Sequence, residues 1–306
     1  MKKIFEKVII VSSLLGLVFF YGCSEDDVIE EVASSIDISL SATTSDGNSL
    51  VSGGNVTAAD SFSIVISITA EAGFNTLNIS GDVASSTINR NDLDIASGTT
   101  DVKVTLTVSA SSSLGDGSID FEAVDEEGNT ATASFTFVVV SPAAKIQTAV
   151  MLYAPLGDSS SQTFYSIANN QTYSLGDVIS TSDPVSASID FGYYYGSTDN
   201  AALASPAEYT IYDLSAWGSQ NVTTLAVTTI TSAEYLEMVT VSDIETAIAG
   251  VDVTDANGTV TNLSANDILM FKTVDNVQGL IHVSAITGTD GSDGMIELEM
   301  KLAASE

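Results

Sequence analysis

Cysteine, histidine and positive charge are scarce in this chain, and each scarcity excludes something. Its 306 residues hold one cysteine, Cys23, and one histidine, His282. One thiol cannot close an internal disulfide, so a fold exported from the cytoplasm must rest on its apolar core. A single histidine with no thiol in the mature chain is read as excluding a Ser-His-Asp arrangement, a Cys-His pair and a His-rich zinc site. Lys and Arg number 8 against 40 Asp and Glu, a net charge of −32. A field of that sign repels phosphodiester backbones, so nucleic acid is excluded as a partner. Long apolar runs are also missing. The longest, Val8 to Tyr21, is too short for an ordinary membrane-spanning helix.

That run does fit a secretory signal peptide. Lys2, Lys3 and Lys7 precede it, and Gly22 and Cys23 close it. A small residue directly before a cysteine is what a lipoprotein signal peptidase requires, although Phe20 and Tyr21 depart from the usual Leu and Ala or Ser. The expectation is therefore a signal peptide over 1–22 and a diacylglycerol on Cys23, giving a membrane partner through the N-terminal lipid. Cleavage would remove Lys2, Lys3, Lys7 and Glu6, leaving five basic residues against 39 acidic ones, a net of about −34. Residues 23–34 read as an acidic tether, with Glu25, Asp26, Asp27, Glu30 and Glu31. This stretch resembles the surface-export signal of Bacteroidota-type lipoproteins. The resemblance implies an outer-membrane location facing the exterior.

Acidity can signal disorder, but 44% of the residues are hydrophobic and they recur with period two. Phe62, Ile64, Ile66 and Ile68 share one strand face; Val102, Val104, Leu106 and Val108 share another. Gly, Asn and Asp clusters at 45–48, 53–55, 114–117 and 127–129 supply the turns. Five to seven short antiparallel strands over 35–141 predict a two-sheet sandwich. Ile119 to Val140 resembles the closing hairpin of bacterial immunoglobulin-like modules: Asp125 ends one strand, Gly128-Asn129 turns, and threonines alternate with apolar residues in the next. An immunoglobulin-like β-sandwich is what that resemblance implies.

The alternation breaks at Ser141 to Ala144, where a domain boundary is expected. Residues 145–304 read as a second, β-rich domain of sandwich or barrel type with one or two short helices. Ser242 to Glu245 reads as a capping box, Ile244, Ala247 and Ile248 share a face, and Gly250 stops the helix. The segments around 189–195, 204–206, 217–224 and 266–283 resemble a domain of uncharacterised Bacteroidota surface lipoproteins. That resemblance implies a surface location and no chemistry.

Few residues stand out as site candidates. Trp217, the only tryptophan, lies among Ser, Gly, Gln and Asn, and Tyr194 is expected on the strand face opposite Phe191 and Tyr193. Both are candidate stacking contacts for a glycan; the competing reading of Trp217 is a core residue. Asp125, Asp290 and Asp293 sit in Gly/Asn-rich loops whose oxygens suit calcium, as does the stretch Asn89 to Asp94. None has EF-hand spacing, and a plain turn is the competing reading. No cofactor is expected, calcium being the one these loops could hold. Paired carboxylates could serve a glycosidase, but none falls on a recognisable cleft, so the chain is not expected to be an enzyme. The expected function is a non-catalytic surface binding or adhesion module for a glycan or protein ligand. The alternatives are an accessory glycan-capture lipoprotein of an outer-membrane uptake system and, third, a carboxylate-dependent hydrolase.

Overall fold

The computed structural model describes residues 35–180, 185–253 and 256–305. Cys23, the expected signal peptide and the acidic tether lie outside them. The chain divides into two units between Ser141 and Pro142. None of the described helices is long and apolar enough to cross a membrane.

The first unit follows from the period-two pattern. Its strands are β1 (Ile36–Thr44), β2 (Ser49–Leu50), β3 (Gly54–Thr57), β4 (Ser61–Ala70), β5 (Phe74–Gly81), β6 (Ser86–Asn89), β7 (Asp101–Ser109), β8 (Gly115–Asp125) and β9 (Thr130–Val140). One sheet has the order β2-β1-β4-β7 and the other β3-β9-β8-β5-β6. Every pairing is antiparallel except β3 with β9. Placing β1, β4 and β7 in one sheet and β9, β8 and β5 in the other is the arrangement of an immunoglobulin-type sandwich. Phe62, Ile64, Ile66 and Ile68 of β4 are buried against Ile119, Phe121 and Ala123 of β8 and Phe135 and Phe137 of β9. Each such side chain contributes roughly 1.5–3 kcal/mol by leaving water.

The unit has more strands than the five to seven expected. Strand β5 escaped the pattern because a bulge between Phe74 and Thr76 breaks its alternation. The expected turn at 114–117 is instead the start of β8. Gly117 is required there because a Cβ would lie within 2.6 Å of the Phe137 ring.

Among the described residues the second unit has ten strands and three α-helices. In chain order they are β10 (Ala144–Tyr153), β11 (Gln162–Ser166), β12 (Gln171–Ser174), α1 (Leu175–Ser180), β13 (Phe191–Gly196), β14 (Asn200–Ala204), β15 (Thr224–Val227), α2 (Ser232–Glu237), α3 (Val241–Ala249), β16 (Thr259–Val260), β17 (Ile268–Lys272), β18 (Gln278–Thr287) and β19 (Met295–Ser305). Two antiparallel five-stranded sheets result, ordered β10-β19-β18-β17-β15 and β12-β11-β13-β14-β16. Their facing sides share a core that includes Leu152, Tyr165, Phe191, Tyr193, Phe271, Ile281 and Leu298.

Both outer faces are covered as well, which explains the run of aromatics in β13. Phe191 and Tyr193 point into the central core, while Tyr194 joins Phe164, Tyr209, Leu214 and Trp217 on the outside. On the other sheet, α2 and α3 cover the outer face through Tyr235, Ile244 and Ile248. The α3 cap lies two residues earlier than the expected box. Thr240 has extended backbone and its hydroxyl accepts from Asp243 N, while the Asp243 carboxylate accepts from Thr240 N at 2.8 Å. Helix α2 ends differently. Its last carbonyls are taken by Lys301 of β19, whose buried Nζ donates to Tyr235 O at 2.7 Å and Met238 O at 2.8 Å. The same ammonium lies 4.4 Å from the centre of the Tyr235 ring.

Candidate functional site

The structure corrects the two aromatic candidates first. Trp217 is 7% exposed and meets Phe164 edge-on, with ring centres 4.9 Å apart. Tyr194 is also 7% exposed, stands edge-on to Tyr209 at 5.9 Å, and donates its hydroxyl to Asp199 Oδ2 at 3.2 Å. Burial pushes the Tyr194 phenol up to about 12, with the Asp199 carboxylate adding to the shift. A glycan stacks only on a ring face open to solvent, so neither residue is a contact. The loop that carries Tyr209 and Trp217 folds back over β13, and no local pattern encodes that return.

Of the calcium candidates, Asp125 is corrected next. Asp125 is buried at the β8–β9 turn, with Oδ1 accepting from Glu127 N at 3.0 Å and Asn129 N at 2.8 Å, and Oδ2 accepting from the Asn129 side chain. Burial alone would raise its pKa, but the Asn129 side-chain bond and the backbone N–H bonds outweigh it and hold the carboxyl below its usual value. Its oxygens organise the hairpin. Asp92 does the same for the 3-10 turn Arg90–Leu93, accepting from Asn89 N at 2.9 Å. Asp290 takes the Thr289 hydroxyl at 3.2 Å in the β18–β19 turn that also carries Asp293, where Gly288 and Gly291 have positive φ. Among the described residues, no three His, Cys, Asp or Glu side chains come together to hold a metal.

His282 has a better position than its isolation in the sequence implied. Its Nε2 lies 3.4 Å from Ser232 Oγ, its ring packs on Tyr235, and Glu299 stands opposite it across the β18–β19 pairing. One histidine therefore suffices to bring Ser, His and Glu together, and the expected exclusion on histidine count was too strong. Burial lowers the His282 pKa, against the pull of Glu299, so the ring is neutral at pH 7. The serine, however, has one proton, and Asn266 O lies closer to it, at 3.2 Å. Ser232 ties α2 to the loop before β17, and nothing in this geometry activates it as a nucleophile.

A groove of about 410 Å³ opens elsewhere on the second unit, between the middle of β10 and the β11–β12 hairpin. A bulge makes one wall. In the β10–β19 pairing Gln147 faces Met300 and Val150 faces Leu298, so Thr148 and Ala149 together oppose a single residue. Ala149 is thereby forced to φ 55°, a left-handed conformation that costs a non-glycine residue about 1 kcal/mol or more. Thr148, Ala149, Met151 and Tyr153 are pushed out to solvent along this wall. Gln162, Asn170, Gln171 and Thr172 form the other wall, and Tyr165 lies beneath.

Buried polar bonds hold the groove in shape. Gln147 is 1% exposed and donates from Nε2 to Ile167 O at 2.8 Å. The Tyr165 hydroxyl sits 3.1 Å from Gln147 Oε1 and 2.6 Å from the Asn170 side-chain oxygen. Asp190 accepts from Ile167 N at 2.7 Å, fixing the same turn from the core side. Burial pushes the Asp190 carboxyl up to about 6, partly opposed by that backbone bond. No residue lining the groove carries a formal charge at pH 7. In a chain with 40 acidic residues, this is a neutral site on an anionic protein.

Sequence reasoning missed this site. The one available signal was the broken alternation at Gln147-Thr148-Ala149, where a polar residue takes an inward position in an otherwise regular strand.

Comparison with known proteins adds one finding. No family model matches the chain, and no curated protein matches it. Among solved structures it is similar to a DUF4466 family protein from Parabacteroides merdae, at 10% identity and a TM-score of 0.38, over 87% of this chain and 98% of that one.

Proposed function

We propose that this chain is a non-catalytic binding module, tethered to the outer membrane through a lipid on Cys23 and exposed to the exterior, with the groove beside the β10 bulge as its binding site. The observation that carries the reading is the combination of strain and preorganisation at one uncharged concavity. A left-handed alanine costs stability, and such costs persist where the surroundings over-determine them, typically at ligand sites. The groove volume lies within the range of small-ligand clefts, roughly 300–1,000 Å³. Its polar rim side chains are amides, hydroxyls and one phenol beside the apolar Ala149 and Met151, which suit recognition and offer neither a general base nor a nucleophile. The lipid anchor rests on the segment around Gly22 and Cys23, and the exterior face on the acidic residues that follow it.

The test is capture of ligands from paired arrays of oligosaccharides and extracellular proteins by the mature chain, alongside two variants. Gln171→Trp fills the groove from an exposed position, and Val51→Trp places the same bulk on the first unit. Capture that falls about tenfold in Gln171→Trp and is unchanged in Val51→Trp supports the groove. Capture indifferent to Gln171→Trp, or no capture at all, removes it.

A further inference from the structure

We propose that the groove takes an uncharged carbohydrate, with Tyr153 as the stacking ring and the amides of Gln162, Asn170 and Gln171 as hydrogen-bonding partners; this rests on the groove being the binding site.

Three features of the site select that ligand class. The first is the kind of polar group on its walls. Carboxamides and hydroxyls each offer donors and acceptors, and sugar hydroxyls require both at every position. A cationic ligand would find no carboxylate in the lining, and an anionic one would enter a field set by a net charge of −32.

The second feature is the aromatic at the rim. Tyr153 is 37% exposed and has the largest ring available to solvent along this wall. A pyranose has a C–H face and a polar edge. A phenol side chain matches the first with its ring and the second with its hydroxyl.

The third feature separates a sugar from an extended peptide. β10 is an edge strand, and a free edge ordinarily invites another strand. Here the bulge at Thr148 and Ala149 falls in the middle of that edge and turns its N–H and C=O groups out of register. A peptide would have to pair across this break. A glycan needs no ladder and uses side chains and an isolated carbonyl or amide equally well. The preorganised floor then lowers the ordering cost that a flexible polar site would otherwise incur on binding.

Calorimetric titration of the mature chain tests this, using neutral gluco-, galacto-, manno- and xylo-oligosaccharides beside uronate and sulfated oligosaccharides. At least one neutral series should bind with a Kd between micromolar and millimolar. Tyr153→Ala should weaken it by about tenfold, while Tyr153→Phe keeps most of the affinity. Gln171→Ala should weaken it by roughly three- to tenfold. Both positions are open to solvent at the groove, and unchanged melting temperatures would establish that the variants fold. Tightest binding to the acidic sugars, or neutral binding that ignores Tyr153→Ala, overturns the inference. A protein captured in a groove-dependent way with no sugar bound also overturns it, yet leaves the groove as the site. Failure of all groove-dependent capture overturns both.

Discussion

Asp190 and Lys301 are buried ionisable groups, like Asp125, and burial disfavours the charged form of each. Asp190 has a folded pKa of about 6 against an ordinary value of 3.8, because burial disfavours its ionised form. The folded state therefore binds the proton more tightly than the unfolded chain. The stabilisation is fully present below about pH 4 and is lost as pH rises through about 6, amounting to roughly 2–3 kcal/mol. Asp125, Asp177 and Asp243 have lowered values and slope the other way, losing stability as pH falls through their folded pKa values. The diagnostic is thus a difference. The melting temperature of Asp190→Asn minus that of the wild type should grow from pH 4 to pH 7; parallel curves would show that Asp190 does not titrate in this range. Asn keeps the acceptor for Ile167 N, so the comparison isolates the charge.

Lys301 is 4% exposed and serves the carbonyls that end α2. Burial, its first influence, lowers its pKa, but Glu299 and Asp243 favour the charged form. Lys301→Met preserves the length of the side chain and removes every donor. The expected loss is about 2–3 kcal/mol, because Met238 O loses its ammonium donor and Tyr235 O keeps only the Met238 N–H. Urea unfolding of the second unit would measure it, and a change below 0.5 kcal/mol would mean water or another donor replaces the amine.

At the scale of elements, the helices show how a cap is decided by backbone shape and not by residue type alone. Ser242 and Glu245 satisfy the spacing of a capping box, yet α3 starts at Val241 because Thr240 has the extended conformation an N-cap requires, φ −115° and ψ 160°. Thr240→Ala should therefore cost about 1 kcal/mol, while Glu245→Ala, exposed and outside the box, should stay within about 0.5 kcal/mol. Equal effects from the two would restore the later start. The β10 bulge makes the same point for strands. Its one extra residue creates the groove wall, and the sequence marks it only as an interruption of an alternating pattern.

For the whole molecule, the division between Ser141 and Pro142 gives each unit its own apolar core. Residues 35–141 and 142–305, produced separately, should each unfold in one cooperative transition. In the full chain, Lys301→Met should shift one transition and leave the other in place. If neither piece folds alone, the two cores are not independent. Apolar alternation was sufficient to read the β class, most strands of the first unit and the side of β13 on which Phe191 and Tyr193 lie. It works because a strand with one buried face states its environment locally, every second residue.

The candidate site was not legible in that way. Trp217 and Tyr194 have the composition of a sugar platform but are buried, because the loop carrying Trp217 returns over a sheet face the sequence does not identify. Asp125 has the composition of a calcium ligand, but its oxygens are taken by the backbone of its own turn. Tyr153, Gln162, Asn170 and Gln171 lie on three strands and a turn that meet only when two sheets pack. The sequence by itself determined which residues of the regularly alternating strands face the core of the first unit. Only the tertiary structure decided which edges lie side by side and which backbone is forced into a bulge, since those depend on contacts between residues far apart in the chain.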